Sequence, residues 1–175
     1  MSLPINKLRT WLSATRITLI FGVIYFISQV SIAIILEPVG ADAVLQLQTT
    51  FSAETFVQII EQWKEAGTLP YYLKHFYLDF PHPIWYSIFL ASLVARAMNA
   101  NNFEGKFDLL ILLPFVAGLS DLMENTFHLI FLTDMNRVTP QLVFVSALFC
   151  NLKWLLCGLS LVFVTVFGIR SRFSK

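Results

Sequence analysis

The stretch AGLSDLMENTFHLIF, Ala117 to Phe131, decides how this chain is read. Its flanks are apolar enough to dissolve in lipid, yet it carries Asp121, Glu124, Asn125 and His128. These four are spaced i, i+3, i+4, i+7, so on a helix they share one stripe. Pro114 and Gly118 extend that stripe toward the start of the segment. A charge at the centre of a bilayer costs about 2.5–3.5 kcal/mol even on the lenient insertion scale. The stripe is therefore expected to face the interior of a helix bundle.

The rest of the composition supports a membrane setting. Of 175 residues, 57% are hydrophobic and 13% charged, against about 25% charged in an ordinary soluble domain. Four apolar segments stand out, at about 17–36, 76–97, 109–132 and 142–168. Each is long enough for the roughly 20 residues that a spanning helix needs. The expectation is one all-α domain over residues 1–175, an integral membrane four-helix bundle. The run from Ile17 to Leu36 exceeds a signal-peptide core and is expected to be retained. Lys7, Arg9, Arg16, Arg96, Lys106, Arg170, Arg172 and Lys175 would lie on one side, and Lys64, Lys74 and Arg137 on the other. The positive-inside rule then places both termini in the cytoplasm.

The first link has structure of its own. FSAETFVQIIEQWKEAG offers Ser52 as an N-cap, Phe51 and Phe56 as a hydrophobic staple, and Gly67 as a stop. Residues 52–66 are expected to form an amphipathic helix. Its polar face is acidic, which favours a lid over the bundle rather than a helix lying on the bilayer. Further on, Pro81 and Pro83 disfavour helical backbone at Phe80 and His82, so the second span should be broken there, with Asp79 and His82 at the break. His75 reads as interfacial, within a Tyr-rich belt.

The fourth segment carries Ser146, Cys150, Lys153, Cys157 and Ser160 at steps of three and four. Lys153 is the expected ion-pair partner of Asp121 or Glu124. The first span can add Gln29, on one face with Gly22, Tyr25 and Ala33, and ends at Glu37. Asp79, Asp121 and Glu124 then share a single cation. Either one acid holds a proton, or a histidine is charged, or a cationic ligand enters. Cys150 and Cys157 form no C-x-x-C and read as small residues on a helix face. His82 and His128 with Asp79 and Glu124 have no tight metal-ligand spacing, so no metal and no cofactor are expected. No nucleophilic serine motif is present, and a net charge of +1 gives no support to nucleic-acid binding.

The pattern Phe51–Thr55, Tyr72, Tyr77–Asp79, Tyr86, D-x-x-E-N at Asp121–Asn125 and Lys153 resembles a bacterial four-span membrane protein family, which carries no function over. That resemblance implies the bacterial inner membrane. A fainter, architectural resemblance is to the emopamil-binding and sigma-2-receptor family, four-to-five-span proteins that bind cationic amphiphiles and sterols, some of them isomerising sterol double bonds. Its carriers are Glu37, the long first link with its amphipathic helix, and Asp79 before a proline-broken span. D-x-x-E-N is not part of that second pattern.

Three functions fit. The first is a pocket for a small amphiphile or lipid, anchored by Asp121 and Glu124, guarded by Asp79 and His82, and walled by Trp85, Tyr86, Phe127 and Trp154, with proton transfer as its chemistry if it is catalytic. The second is a proton- or cation-coupled carrier that uses His128 as a relay within a homo-oligomer. The third is a non-catalytic assembly subunit whose polar stripe fixes helix pairing.

Overall fold

The computed structural model describes residues 4–103 and 105–173, and no strand occurs among them. The protein is all-α. In chain order the helices are α1 (Pro4–Leu12), α2 (Thr15–Leu36), α3 (Ala41–Thr49), α4 (Ala53–Glu65), α5 (Leu69–Asp79), α6 (His82–Ala100), α7 (Leu113–Thr133) and α8 (Pro140–Phe173). Short 3-10 segments cover Glu37–Val39, Gly105–Leu112 and Met135–Arg137.

Local sequence accounts for most of the boundaries. Ser52 caps α4 by accepting the Thr55 amide at 3.1 Å. At its far end Gly67 takes φ +69, a backbone region that side chains other than glycine's rarely enter. There the Gly67 amide donates to Lys64 and the Thr68 amide to Trp63, which satisfies carbonyls that the helix end would leave bare. The Phe51 ring packs on Phe144 at 5.4 Å.

The second apolar segment is broken as the prolines require, between α5 and α6. Phe80 nevertheless keeps helical dihedrals (φ −68, ψ −45), because its amide still donates to Phe76. The interruption comes one residue later, at Pro81, which has no amide to donate. His82 opens α6, and Pro83 sits in the first turn, where proline is tolerated. The third segment also differs from expectation. Residues 109–112 belong to the 3-10 segment and α7 starts at Leu113.

Two helical stretches, Thr15–Val39 and Pro140–Ser171, are long and apolar enough to cross a membrane. The sequence suggests four. α6 and α7 have 19 and 21 residues, but Arg96, Asn99, Asp121, Glu124, Asn125 and His128 lower their apolar character. α2 leaves Leu19, Ile20, Val23, Phe26, Ile27, Val30 and Ile34 each more than half exposed. α8 does the same with Trp154, Leu155, Leu161, Val162, Val166 and Ile169.

The chain divides into two compact units. One comprises Met1–Phe26, Pro83–Gly118 and Lys153–Lys175, the other Ile27–His82 and Leu119–Leu152. The first packs Leu12 of α1, Ala91, Val94, Ala95 and Met98 of α6, and Ile111 into one core. Arg9 fastens α1 there, donating to Asp108 at 2.6 Å, to Asn99 at 2.8 Å and to the Phe103 carbonyl at 3.1 Å. Gly118 allows a close approach in the same unit: a Cβ on it would meet Ser87 Oγ at 2.2 Å. The second unit has a core of Val44, Leu47, Phe56, Ile59, Ile60, Trp63, Tyr72, Phe76, Phe131 and Val143. Charge is segregated between the units. The first holds nine Lys and Arg against two Asp and Glu, the second three against nine.

Candidate functional site

The polar stripe of α7 is buried. Glu124 is 0% exposed, and Asp121, Asn125 and His128 are all buried with it. These residues, with Asp79 and His82, fall in the second unit. What the sequence reading left out is the wall that α5 supplies. Tyr72, His75 and Asp79 follow one another at steps of three and four, so they share the inward face of α5 with Phe76. His75, read as interfacial from the sequence, is buried in protein, and its ring packs on Phe76 at 4.1 Å.

Tyr72 is the centre of the arrangement. It is fully buried and lies among the rings of Trp63, His75 and Phe76. Its hydroxyl is 2.8 Å from His128 Nδ1. Burial first, and then the nearby carboxylates of Glu124 and Asp79 and the Cys150 thiol, hold the phenol well above its ordinary pKa of 10.0. The phenol is therefore protonated, and its hydroxyl donates to Nδ1 where neutral His128 carries its proton on Nε2.

His75 is oriented from the other side. Its Nδ1–H donates to the Tyr72 carbonyl one turn back, and Nε2 faces Asp79 Oδ2 at 3.6 Å, an ion pair when the ring is protonated. The Asp79 carbonyl, left over at the end of α5, accepts from Asn125 Nδ2–H at 3.3 Å. Asn125 thus joins α7 to α5. His82 is also buried, with Nδ1 at 2.7 Å from Ser28 Oγ on α2.

α4 covers this cluster. Phe56 meets the His128 ring edge-on at 5.4 Å, and Trp63 lies 4.7 Å from the Tyr72 ring while its indole N–H donates to the Val39 carbonyl at 3.1 Å. The apolar face of α4 is buried in protein, consistent with a lid.

Gln29, Ala33 and Glu37 are exposed. The less exposed face of α2 runs through Gly22, Tyr25, Ser28 and Ile32, about 100° round the helix from Gln29 at its third position. Lys153 is buried at 7% exposure, but it belongs to the other unit. Trp154, expected as a wall, is 54% exposed. Ser146, Cys150 and Ser160 of the α8 stripe are buried, and Cys157 is half-buried. Neither cysteine is in a disulfide. Among the described residues no group of three or more His, Cys, Asp or Glu side chains is placed to hold a metal ion.

No protein-family model, curated protein or solved structure matches this chain. Its function has to be argued from the cluster.

Proposed function

We propose that the chain is a four-span integral membrane protein whose buried Tyr72–His128–Glu124 cluster is a site for a small amphiphile or lipid, with proton transfer as its chemistry. Three features support the membrane part. The apolar rows of α2 and α8 stay exposed in the folded chain, which suits lipid and not water. α6 and α7 supply the remaining two spans, their polar faces turned away from lipid. The excess of Lys and Arg in the first unit, to which both termini belong, supports a cytoplasmic location of the termini at a bacterial inner membrane.

The site reading rests above all on the burial of Asp121 and Glu124 beside a Tyr–His hydrogen bond. Phenol, imidazole and carboxylate differ in proton affinity, and a proton moves readily between such groups when they are held within bonding reach. With its proton on Nε2, neutral His128 has an N–H that can be donated. Asp79 and His75 form a second proton-binding pair on α5.

The test is mass spectrometry of small molecules that co-purify with the protein in mild detergent. Wild type is compared with a folded Asp121→Asn, Glu124→Gln variant. A defined amphiphile or lipid held by wild type alone is the expected result; identical empty preparations defeat the reading. A second reading, helix pairing only, is favoured by one observation, the Asn125 bond to the Asp79 carbonyl. It predicts that apolar residues of similar size at Asp121, Glu124 and Lys153 together preserve or raise stability.

A further inference from the structure

The face of α5 next to Tyr72 and His75 carries a feature that the buried cluster does not use. Leu73, Phe76, Tyr77 and Phe80 repeat at i, i+3, i+4 and i+7, and with Lys74 and Leu129 of α7 they line an open groove of about 500 Å³. The lining begins at Pro70, so the groove follows the helix for about 15 Å. Such a shape suits an extended chain better than a compact molecule. Its lining is apolar and aromatic apart from the Tyr77 hydroxyl and one charge, the Lys74 ammonium.

The charge is informative. The second unit carries nine acids and three bases, yet no described acid lies within ion-pair reach of Lys74. Arg137, by contrast, is held by Asp134 at 3.3 Å. Tyr71 and Tyr77 flank Lys74 at 45% and 84% exposure. Exposed tyrosines beside a lysine are what a helix presents at the level of lipid headgroups.

We propose that this groove binds an anionic phospholipid of the surrounding bilayer. One acyl chain lies on Phe76, Phe80 and Leu129, and the phosphate rests on Lys74. The lysine stem lies along the apolar wall while its ammonium reaches the headgroup. Phe76 is shared by groove and cluster, packing on Tyr72 and His75 as well as lining the groove. A single ring therefore separates the bound chain from the buried polar groups. The inference rests on the membrane reading above but not on any role for Asp121 or Glu124.

Native mass spectrometry of the full chain tests it, with phosphatidylglycerol and phosphatidylcholine of identical acyl chains supplied in equal amounts. Wild type should retain phosphatidylglycerol preferentially. Lys74→Met should lower that preference about fivefold, as expected for one lysine at an anionic surface. Lys64→Met, an exposed lysine of the same unit outside the groove, should leave it unchanged. Lys74 is exposed, so its replacement does not threaten folding. Equal preference in wild type and Lys74→Met overturns the inference. If the preference instead disappears in the Asp121→Asn, Glu124→Gln variant and survives in Lys74→Met, the buried acids hold the lipid; the cluster reading then stands and the groove reading falls.

Discussion

Tyr72→Phe removes one oxygen and little else. The ring keeps its place against Trp63 at 4.7 Å and Phe76 at 5.5 Å, so no cavity cost arises. The lost oxygen is the partner of His128 Nδ1 at 2.8 Å, in a place where Tyr72 is 0% exposed and His128 2%. Water cannot take over the bond without opening the core. An acceptor left bare in such surroundings costs about 1–3 kcal/mol. Replacing both partners by apolar groups removes that penalty, so Tyr72→Phe with His128→Leu should be less destabilised than the two single changes summed. Reversible unfolding in mixed micelles gives all the numbers of this cycle. A Tyr72→Phe variant within about 0.5 kcal/mol of wild type, or an additive cycle, refutes the assignment of Tyr72 as donor to His128.

The same phenol predicts a pH dependence of definite sign. Its folded-state pKa is raised above the unfolded value of 10.0, by burial first and by Glu124, Asp79 and Cys150 after it. The folded chain then holds more protons than the unfolded chain above pH 10. Stability from this group is complete below pH 10 and falls as pH rises beyond it. The difference in unfolding free energy between wild type and Tyr72→Phe should therefore be flat below pH 10 and shrink above it. A difference that stays constant up to alkaline unfolding means that the phenol titrates normally.

Two further perturbations probe the frame that holds the site. Gly118→Ala sets a Cβ 2.2 Å from Ser87 Oγ and 3.0 Å from the Pro83 carbonyl, and Ser87 Oγ–H is donated to Pro114 at 2.8 Å. Overpacking and the broken bond should cost about 1–3 kcal/mol in the same unfolding assay, and adding Ser87→Ala should recover only part, because the backbone contact remains. Arg9→Met strands Asp108, which is 2% exposed, and should cost about 3–5 kcal/mol; Asp108→Leu in the same chain should restore most of it.

The α7 stripe was legible because Asp121, Glu124, Asn125 and His128 stand out against an apolar background, and period alone then sets their common face. α4 was legible because its cap, its apolar repeat and its glycine stop agree. The wall on α5 follows the same rule, with Tyr72, His75 and Asp79 at steps of three and four. It was obscured by Tyr71, Phe76 and Tyr77, which make the stretch look like an aromatic belt at a membrane surface. Tyr77 is indeed exposed, while Tyr72 and His75 are buried. Gln29 misled for a different reason. A helix that touches its neighbours along a narrow line gives little pattern to read, and Ser28 holds the partly buried position while Gln29 is exposed. Arg9 was counted only as a cytoplasmic charge. Its bond to Asp108 links residues 99 positions apart, and nothing local announces it.

The choice between a site and mere helix pairing turns on which groups pairing requires. Polar contacts between membrane helices contribute about 0.6 kcal/mol on average, and uncharged groups suffice for them. This chain uses uncharged groups in just that way, Asn125 for the Asp79 carbonyl and Ser28 beside His82. Carboxylates cost several times more to place in a bilayer core. Asp121 and Glu124 nevertheless occupy the most buried face of α7, with a Tyr–His pair at the next turn. A chain that needed only to pair its helices has Asn and Gln available for those two positions. The Asp121→Asn, Glu124→Gln variant, once folded, should therefore differ from wild type in what it binds.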